Sequence, residues 1–162
     1  NVKKGDCEIK IKYKSSCLND LSLGDSISVN GICLTVKKFN KYFMYFDLSN
    51  ETTSRISEFK INQMVNLESS LRVNSKISGH FVFGHVDGVC TITEIAELDG
   101  CQRWLLKAPK ELIKYIAKKG SVSLSGVSLT VNSVSDYVFS INLIPFTLSH
   151  TTLKYNKAGA KQ

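Results

Sequence analysis

The segment Gly24-Asp-Ser-Ile-Ser-Val-Asn-Gly-Ile-Cys-Leu-Thr-Val36 occurs in two related copies, the second 95 positions after the first. The second copy is Ser121-Val-Ser-Leu-Ser-Gly-Val-Ser-Leu-Thr-Val131, in which Gly126 falls on Gly31. A repeat of this length indicates two copies of one domain rather than a solenoid of short units. The same offset continues without a gap and aligns further identical residues: Tyr42 with Tyr137, Leu48 with Leu143, Thr52 with Thr147 and Ser54 with Ser149.

Each copy has the pattern of short strands joined by tight turns. Polar and apolar residues alternate over residues 8–13 and 26–29, which is typical of half-buried strands. Asn30-Gly31 predicts a hairpin turn. The remaining predicted strands are residues 32–38, 42–48, 64–68, 89–95 and 102–108, with turns at 40–41 and 97–100.

Two short helices are also predicted. One covers Cys17–Leu21 and follows two serines that would cap it. The other covers Pro109–Gly120, because proline suits the first turn of a helix and glycine suits its end. The fold class is therefore all-β with short helices.

Closely spaced strands with exposed edges favour closed barrels, because closure removes the unpaired edges. We expect two homologous six-stranded Greek-key β-barrels in tandem, one over residues 1–83 and one over residues 84–162. The repeat also predicts that the second copy has an equivalent of the strand around Val65–Glu68. We therefore expect the chain to continue beyond Gln162.

Composition disfavours several classes of protein. The 21 basic residues outnumber the 14 acidic ones, but the lysines are scattered, so a nucleic-acid surface is not indicated. No apolar run approaches the roughly 20 residues that span a bilayer. The five cysteines are odd in number and form no C-x-x-C pair, which indicates neither a disulfide framework nor a zinc site. A reduced, cytoplasmic location fits this pattern.

The segment Gly79-His-Phe-Val-Phe-Gly-His-Val-Asp-Gly88 joins the two repeats. On a strand, His80 and His85 would point to opposite faces, so they would not share a metal ion. The glycine beside each histidine lets the backbone approach a flat ligand closely. The alternative is that the segment is only a glycine-rich connection between domains.

Equivalent strand positions carry groups able to do chemistry. Cys33 and Ser128 each precede Leu-Thr-Val. A thiol at this place would be a nucleophile if its pKa were lowered, or else an ordinary packed side chain. Thr35 and Thr130 can hydrogen-bond the polar edge of a ring, although threonine is also common in strands.

Two equivalent loops follow strands, at Asp47–Thr52 and Asn142–Thr147. Loops at barrel rims are frequent sites of small-ligand binding. Lys119 would either reach such a site or remain a solvated lysine at a helix end. Two similar pockets in one chain suit a reaction between two copies of one substrate.

These segments, together with Ile144-Pro-Phe-Thr-Leu148 and Thr151-Thr-Leu153, resemble the riboflavin synthase family over nearly the whole chain. The resemblance implies two six-stranded barrels, a C-terminal helix and a homotrimer, with possible association with lumazine synthase. It implies dismutation of two 6,7-dimethyl-8-ribityllumazine molecules, in which one donates a four-carbon unit to the other. The products are riboflavin and 5-amino-6-ribitylamino-pyrimidinedione, and the family uses no metal or organic cofactor.

The resemblance also assigns residues. Reaction sites in this family pair the first barrel of one subunit with the second barrel of its neighbour. The implied catalytic residues are Cys33, Ser128 and His85, with Ser26 and His80 in support. The implied substrate contacts are Cys33, Leu34, Thr35, Asp47, Leu48, Ser49, Asn50, Glu51, Thr52, Gly84, His85, Val86, Lys119, Ser128, Leu129, Thr130, Asn142, Leu143, Ile144, Pro145, Phe146 and Thr147.

The chain departs from the family pattern in three places. The family's opening Met-Phe-Thr-Gly-Ile does not precede Asn1, and its closing Val-Asn-Ile-Glu strand and trimer helix do not follow Gln162. Ser125 stands where the family commonly has aspartate. One hypothesis is that the chain binds ligand but turns it over slowly; the other is that the complete protein is fully active.

Two rival interpretations remain open. A non-catalytic relative that binds lumazine or flavin, such as an optical antenna protein, would keep the barrels and lose site residues. Ser125 favours this alternative, whereas the presence of Gly84-His-Val-Asp-Gly88 and Cys33 favours the enzyme. A pair of oligonucleotide-binding barrels would stack bases on exposed aromatic rings in a basic groove. Tyr42, Phe43, Tyr45 and Phe46 lie so close together that half must point inward, which disfavours the second rival.

Overall fold

The computed structural model describes residues 7–14, 18, 20–77 and 79–162. These residues form antiparallel strands with a few short helices. The first repeat contains β1 Cys7–Lys12, β2 Ser26–Val29, β3 Ile32–Thr35, β4 Lys38–Phe39, β5 Phe43–Leu48, α1 Asn50–Arg55 and β6 Leu67–Ser69. The second contains β7 Thr91–Leu98, β8 Cys101–Lys107, β9 Ser121–Leu124, β10 Val127–Ser135, β11 Val138–Leu143 and α2 Pro145–His150, with single-turn 3-10 helices at Ile113–Tyr115 and Thr152–Tyr155.

The offset read from the sequence holds along the structure. Adding 95 to the residue numbers places β1 on β8, β2 on β9, β5 on β11 and α1 on α2. The strands β3 and β4 together fall on β10, which is continuous apart from an irregularity in register between Val131 and Ser133. The prediction of two homologous domains is therefore confirmed.

Strand order gives each repeat the connectivity of a Greek-key barrel. In the second repeat the order is β7-β8-β11-β10-β9, so β8 pairs with β11 rather than with the strand that follows it. The first repeat is split into the sheets β1-β5-β4 and β3-β2-β6. The second repeat has five strands among the described residues, and its segment 159–162 adds backbone hydrogen bonds to β7 and the residue before it.

Each repeat has its own hydrophobic core. Met44 and Phe46 are completely buried in the first core, and Trp104 and Ile141 are completely buried in the second. Full burial of one such side chain stabilises the fold by about 1.5–3 kcal/mol. Two separate cores support two domains, while the boundary between residues 83 and 84 stays a prediction, since Val86 still packs against the first core.

The helix predicted over 109–120 is wrong. Only Ile113–Tyr115 forms a turn of 3-10 helix. Ile113 and Ile116 do pack against the second core. The segment cannot continue as a helix, because its last residues are hydrogen-bonded to β10. The Lys119 N–H donates to the Val131 carbonyl, and the Val131 N–H donates to the Gly120 carbonyl.

Other boundaries shift as well. The strand predicted at 64–68 begins only at Leu67, and the one predicted at 89–95 covers Thr91–Leu98. The segment 79–88 contains no strand, so His80 and His85 do not face opposite sides of a strand as predicted. The helix predicted at 17–21 lies partly outside the described ranges, and its described residues Leu18, Asp20 and Leu21 are not helical.

Candidate functional site

The hairpins β2–β3 and β9–β10 bring small polar side chains to equivalent positions. Ser28 lies opposite Cys33 on the first hairpin, and Ser123 lies opposite Ser128 on the second. Two residues further from each turn, Ser26 lies opposite Thr35 and Ser121 lies opposite Thr130. Alternate residues of a strand face opposite sides of the sheet. Cys33, Thr35 and Thr130 accordingly face outward, whereas Leu34 and Leu129 are buried and offer a ligand only their backbone.

The segment that joins the barrels approaches both of these positions. The Cys33 N–H donates to the Gly84 carbonyl at 2.8 Å. Gly84 has φ +71°, and a Cβ there would lie 2.8 Å from the Cys33 Cβ, so only glycine allows this approach. At the other barrel, His80 Nδ1 lies 2.7 Å from Ser128 Oγ. The predicted catalytic residues His80 and Ser128 therefore form a hydrogen-bonded pair.

Two grooves lie between the barrels. The larger has a volume of about 980 Å³ and is lined by the joining segment, including His85, and by the second hairpin, including Ser128. The smaller, of about 530 Å³, is lined by Ser28, Asn66, Ser128 and the 3-10 helix at Thr152–Tyr155. Neither groove is lined by the predicted site residues Cys33, Thr35, Lys119 and Thr130. The same holds for the rim segments 47–52 and 142–147, which were expected to be loops but each complete a strand and begin a short helix. The sequence-predicted site is thus divided between the cleft and the outer faces of the barrels.

The rim of the first barrel carries charge. Asp47 is exposed at the end of β5, and its Oδ1 accepts a hydrogen bond from Lys37 Nζ at 2.7 Å. Ser49 caps α1, because its Oγ accepts from the Thr52 N–H. Leu48 is buried, whereas Asn50 and Glu51 are exposed.

The rim of the second barrel is neutral and more apolar. Pro145 begins α2 at a position where its missing N–H costs nothing. Ile144 and Phe146 are exposed, and the Phe146 ring stacks on His150 with centroids 4.0 Å apart. An exposed aromatic ring at this place can stack on a flat ligand. Asn142 is exposed, Leu143 is buried, and Thr147 accepts a hydrogen bond from Thr151.

Asn66 is a residue whose role the sequence reasoning missed. Its Nδ2 donates to the Ser125 carbonyl at 2.9 Å, and its Oδ1 accepts from the Thr152 N–H at 2.8 Å. Its own N–H donates to Asn30 Oδ1. Asn66 therefore connects the first barrel to two elements of the second. The sequence Val65-Asn-Leu-Glu68 predicts only a strand, and nothing in it signals a contact between domains.

Ser125 lies at the tip of the second hairpin, with φ +48°. Its Oγ donates to Gln162 Oε1 at 2.7 Å. The hydroxyl is thus engaged with the end of the second barrel, on a residue that also lines the larger groove.

The cysteines differ in their surroundings. Cys7, Cys33, Cys90 and Cys101 are free thiols. Burial raises the pKa of the Cys90 thiol to about 11, because a low-dielectric surrounding penalises the thiolate. Cys33 is exposed and free to meet a ligand or a reagent. Among the described residues, no group of three or more His, Cys, Asp or Glu side chains is placed to hold a metal ion.

Comparison with known proteins identifies the relationship. Residues 1–70 and 83–161 each match the family described as the lumazine binding domain, once per repeat. The chain is 38% identical to the riboflavin synthase of Actinobacillus pleuropneumoniae over 160 residues, which cover 98% of this chain and 74% of that protein. This chain belongs to the riboflavin synthase family, with its lumazine-binding domains.

Further riboflavin synthase relatives and a solved structure agree. The riboflavin synthase of Bacillus subtilis (strain 168) is 40% identical over 164 residues, covering 99% of this chain and 76% of that protein. The crystal structure of LumP complexed with riboflavin superposes with a TM-score of 0.86 at 26% identity, covering 96% of this chain and 85% of that chain. Riboflavin synthase family membership makes this chain an enzyme of the transferase class. No helix in the described part of the chain is both long and apolar enough to cross a membrane.

Proposed function

We propose that this chain is a riboflavin synthase that converts two molecules of 6,7-dimethyl-8-ribityllumazine into riboflavin and 5-amino-6-ribitylamino-pyrimidinedione. The observation that carries the proposal is the pair His80–Ser128, with Nδ1 and Oγ 2.7 Å apart beside the cleft between two homologous barrels. The relatives that are riboflavin synthases support it. LumP, whose solved complex contains riboflavin, supports a flavin-like ligand.

The reaction makes modest demands on the side chains. The methyl group on C7 of the lumazine is acidic, because its anion is delocalised into the ring. A weak base therefore suffices to remove the proton, and a hydroxyl paired with an imidazole is such a base. As Ser128 Oγ accepts the methyl proton, His80 Nδ1 takes up the hydroxyl proton. The carbanion then attacks the second lumazine, which accepts four carbons as the donor ring is released as the pyrimidinedione.

Orientation of the two rings provides most of the remaining rate enhancement, because a bimolecular step becomes effectively unimolecular. In the proposal, one ring occupies the outward face near Cys33 and Thr35 with the Asp47–Thr52 rim. The other occupies the face near Ser128 and Thr130 with the Asn142–Thr147 rim. Backbone contacts from Leu34 and Leu129 add to these, since the side chains of both leucines are buried.

Residues between the barrels complete the proposed site. Gly84 is packed against Cys33, and His85 is exposed in the cleft where it can exchange protons with a bound ring. Val86 packs against the first core and fixes the joining segment beside it. Ser26, opposite Thr35, supports the first face. Lys119 is proposed as a donor at the second face.

Assembly and location are part of the same proposal. A homotrimer would place the first barrel of one subunit against the second barrel of its neighbour, and association with lumazine synthase would supply substrate. The exposed side chains of Phe81 and Phe83 are apolar surface that a neighbouring subunit could cover. Free thiols at Cys33 and Cys90 favour a reducing, cytoplasmic location.

The test is incubation of the complete protein with 6,7-dimethyl-8-ribityllumazine while riboflavin is followed by absorbance. Riboflavin formed at half the moles of lumazine consumed is the expected result. Ser128→Ala should abolish most of the turnover, and Ser135→Ala, at the far exposed end of the same strand, should not. Tight binding without conversion would contradict the enzyme proposal and favour a non-catalytic binder, the alternative that Ser125 supports.

A further inference from the structure

Two carboxylates stand directly opposite each other on the first barrel. Glu8 on β1 pairs in register with Asp47 on β5, and both side chains are about half exposed. Like charges at directly opposed positions of an antiparallel pair repel each other. The side chain of Lys37, which follows β3, lies between them, with Nζ 2.8 Å from Glu8 Oε2 and 2.7 Å from Asp47 Oδ1. One ammonium group is therefore shared by two carboxylates at the rim.

The second barrel has a different set of groups at the same three positions. Arg103 replaces Glu8, Asn132 replaces Lys37 and Asn142 replaces Asp47 at the offset of 95. Arg103 lies opposite Asn142 in the register of β8 and β11. Its Nη2 donates to Glu94 Oε1 at 3.2 Å. The two rims therefore carry different groups. The first has the Asp47 carboxylate, which is paired with Lys37, and the second has the neutral amide of Asn142.

The contribution of Lys37 to folding stability is small. Its side chain is 43% exposed, and exposed ion pairs contribute little to the free energy of unfolding. Hydrogen bonds first to Asp47 and then to Glu8 raise the pKa of the Lys37 ammonium, so it stays charged through neutral pH. Its effect is therefore local: it fixes where the Asp47 carboxylate points.

We propose that Lys37 is a positioning residue that holds Asp47 at the first rim as a charged acceptor for ligand hydroxyl groups. The second site, with Asn142 at the equivalent place, binds its ligand through a neutral amide. The inference rests on the proposed function, because the proposed function makes these rims the ligand sites. The inference adds that the two sites of one chain differ in their affinity for the ligand and in how salt changes that affinity.

The test is a titration of the complete protein with riboflavin, a probe that is not consumed, followed by quenching of flavin fluorescence. The wild-type protein should show two classes of site. Lys37→Met should weaken one class by about tenfold, the size of one lost charge-assisted hydrogen bond, and leave the other unchanged. Raising the salt to about 1 M, where the Debye length is about 3 Å, should weaken the same class in the wild type.

Two further variants separate position from net charge. Lys37→Arg should restore binding, because a guanidinium group can also bridge two carboxylates. Lys38→Met removes the same charge from the adjacent residue, whose Nζ lies over the Tyr45 ring, and should bind like the wild type. The proposal is overturned if Lys37→Met binds like the wild type, or if Lys38→Met weakens binding as much. If the wild type binds neither riboflavin nor lumazine, the proposed function fails first and this inference fails with it.

Discussion

Gly31 and Gly126 meet where the two barrels join, at the tips of the two equivalent hairpins. A Cβ atom on Gly31 would lie 2.7 Å from the Gly126 nitrogen, and one on Gly126 would lie 2.8 Å from the Gly31 nitrogen. Both residues have positive φ, at +83° and +81°. Gly31 and Gly126 occupy equivalent positions in the two repeats and also contact each other. The two barrels are therefore in contact at equivalent turns.

Gly31→Ala should lower the free energy of unfolding by about 3 kcal/mol, the sum of backbone strain and overpacking. The substitution places a side chain in left-handed backbone, which costs about 1–2 kcal/mol, and it also forces the hairpin tips apart. Chemical denaturation measures the change. Gly100→Ala is the matched control, because Gly100 also has positive φ, at +77°, but has nothing within 4 Å of its Cβ position. Equal losses in the two variants would contradict a specific contact between the barrels.

His80 and Ser128 should behave as one unit in a double-mutant cycle. His80→Ala and Ser128→Ala should each lower the rate of riboflavin formation by roughly 100-fold, within the range of general acid–base catalysis. The double variant should be little slower than the slower single variant, because the second change removes an interaction that is already lost. Steady-state kinetics measures this. Multiplicative losses would indicate that the 2.7 Å contact has no catalytic role.

Ser125→Asp should increase turnover if a missing carboxylate limits the rate. Ser125 has φ +48°, a conformation that aspartate and asparagine both tolerate better than most residues. Ser125→Asn is therefore the control, since it matches the shape without the charge. The kcat of Ser125→Asp should exceed that of Ser125→Asn severalfold. If the two variants have the same kcat, the hypothesis that Ser125 makes the enzyme slow is wrong.

Cys90 and Cys33 should differ in reactivity. A thiol reagent should label exposed Cys33 in the native protein and leave Cys90 unlabelled, and peptide mass mapping distinguishes the two sites. The raised pKa of Cys90, about 11 against an ordinary 9.0, means that the fold favours the neutral thiol. This contribution is complete below about pH 9 and is lost as the pH rises from about 9 to 11.

The pH dependence can be isolated with Cys90→Ala. Between about pH 8 and pH 10, the free energy of unfolding of the wild type should fall more than that of the variant, because only the wild type has the buried thiol to ionise. Denaturation curves at both pH values measure the difference. Parallel curves for the two proteins would show that Cys90 is not the group responsible.

Much of the fold could be predicted from local pattern. The aromatic and apolar residues of segment 42–48 predict a buried strand, which is β5, and the hairpin turn at Asn30-Gly31 is present with positive φ at both residues. These features depend on near neighbours in sequence, which a single chain displays directly. The prediction was wrong for Pro109–Gly120, because the hydrogen bonds of Lys119 and Gly120 to Val131 come from a distant strand.

The repeated sequence pattern alone predicts two homologous domains built of short strands, with Cys33 and Ser128 at equivalent positions. The contacts between these groups become visible only in the folded chain. His80 reaches Ser128 while Gly84 reaches Cys33, and Lys37 bridges Glu8 and Asp47. A sequence repeat shows which positions are equivalent, because each residue of one copy aligns with one residue of the other. Contacts between barrels or between strands join residues that are distant in sequence. Local sequence patterns therefore do not predict them.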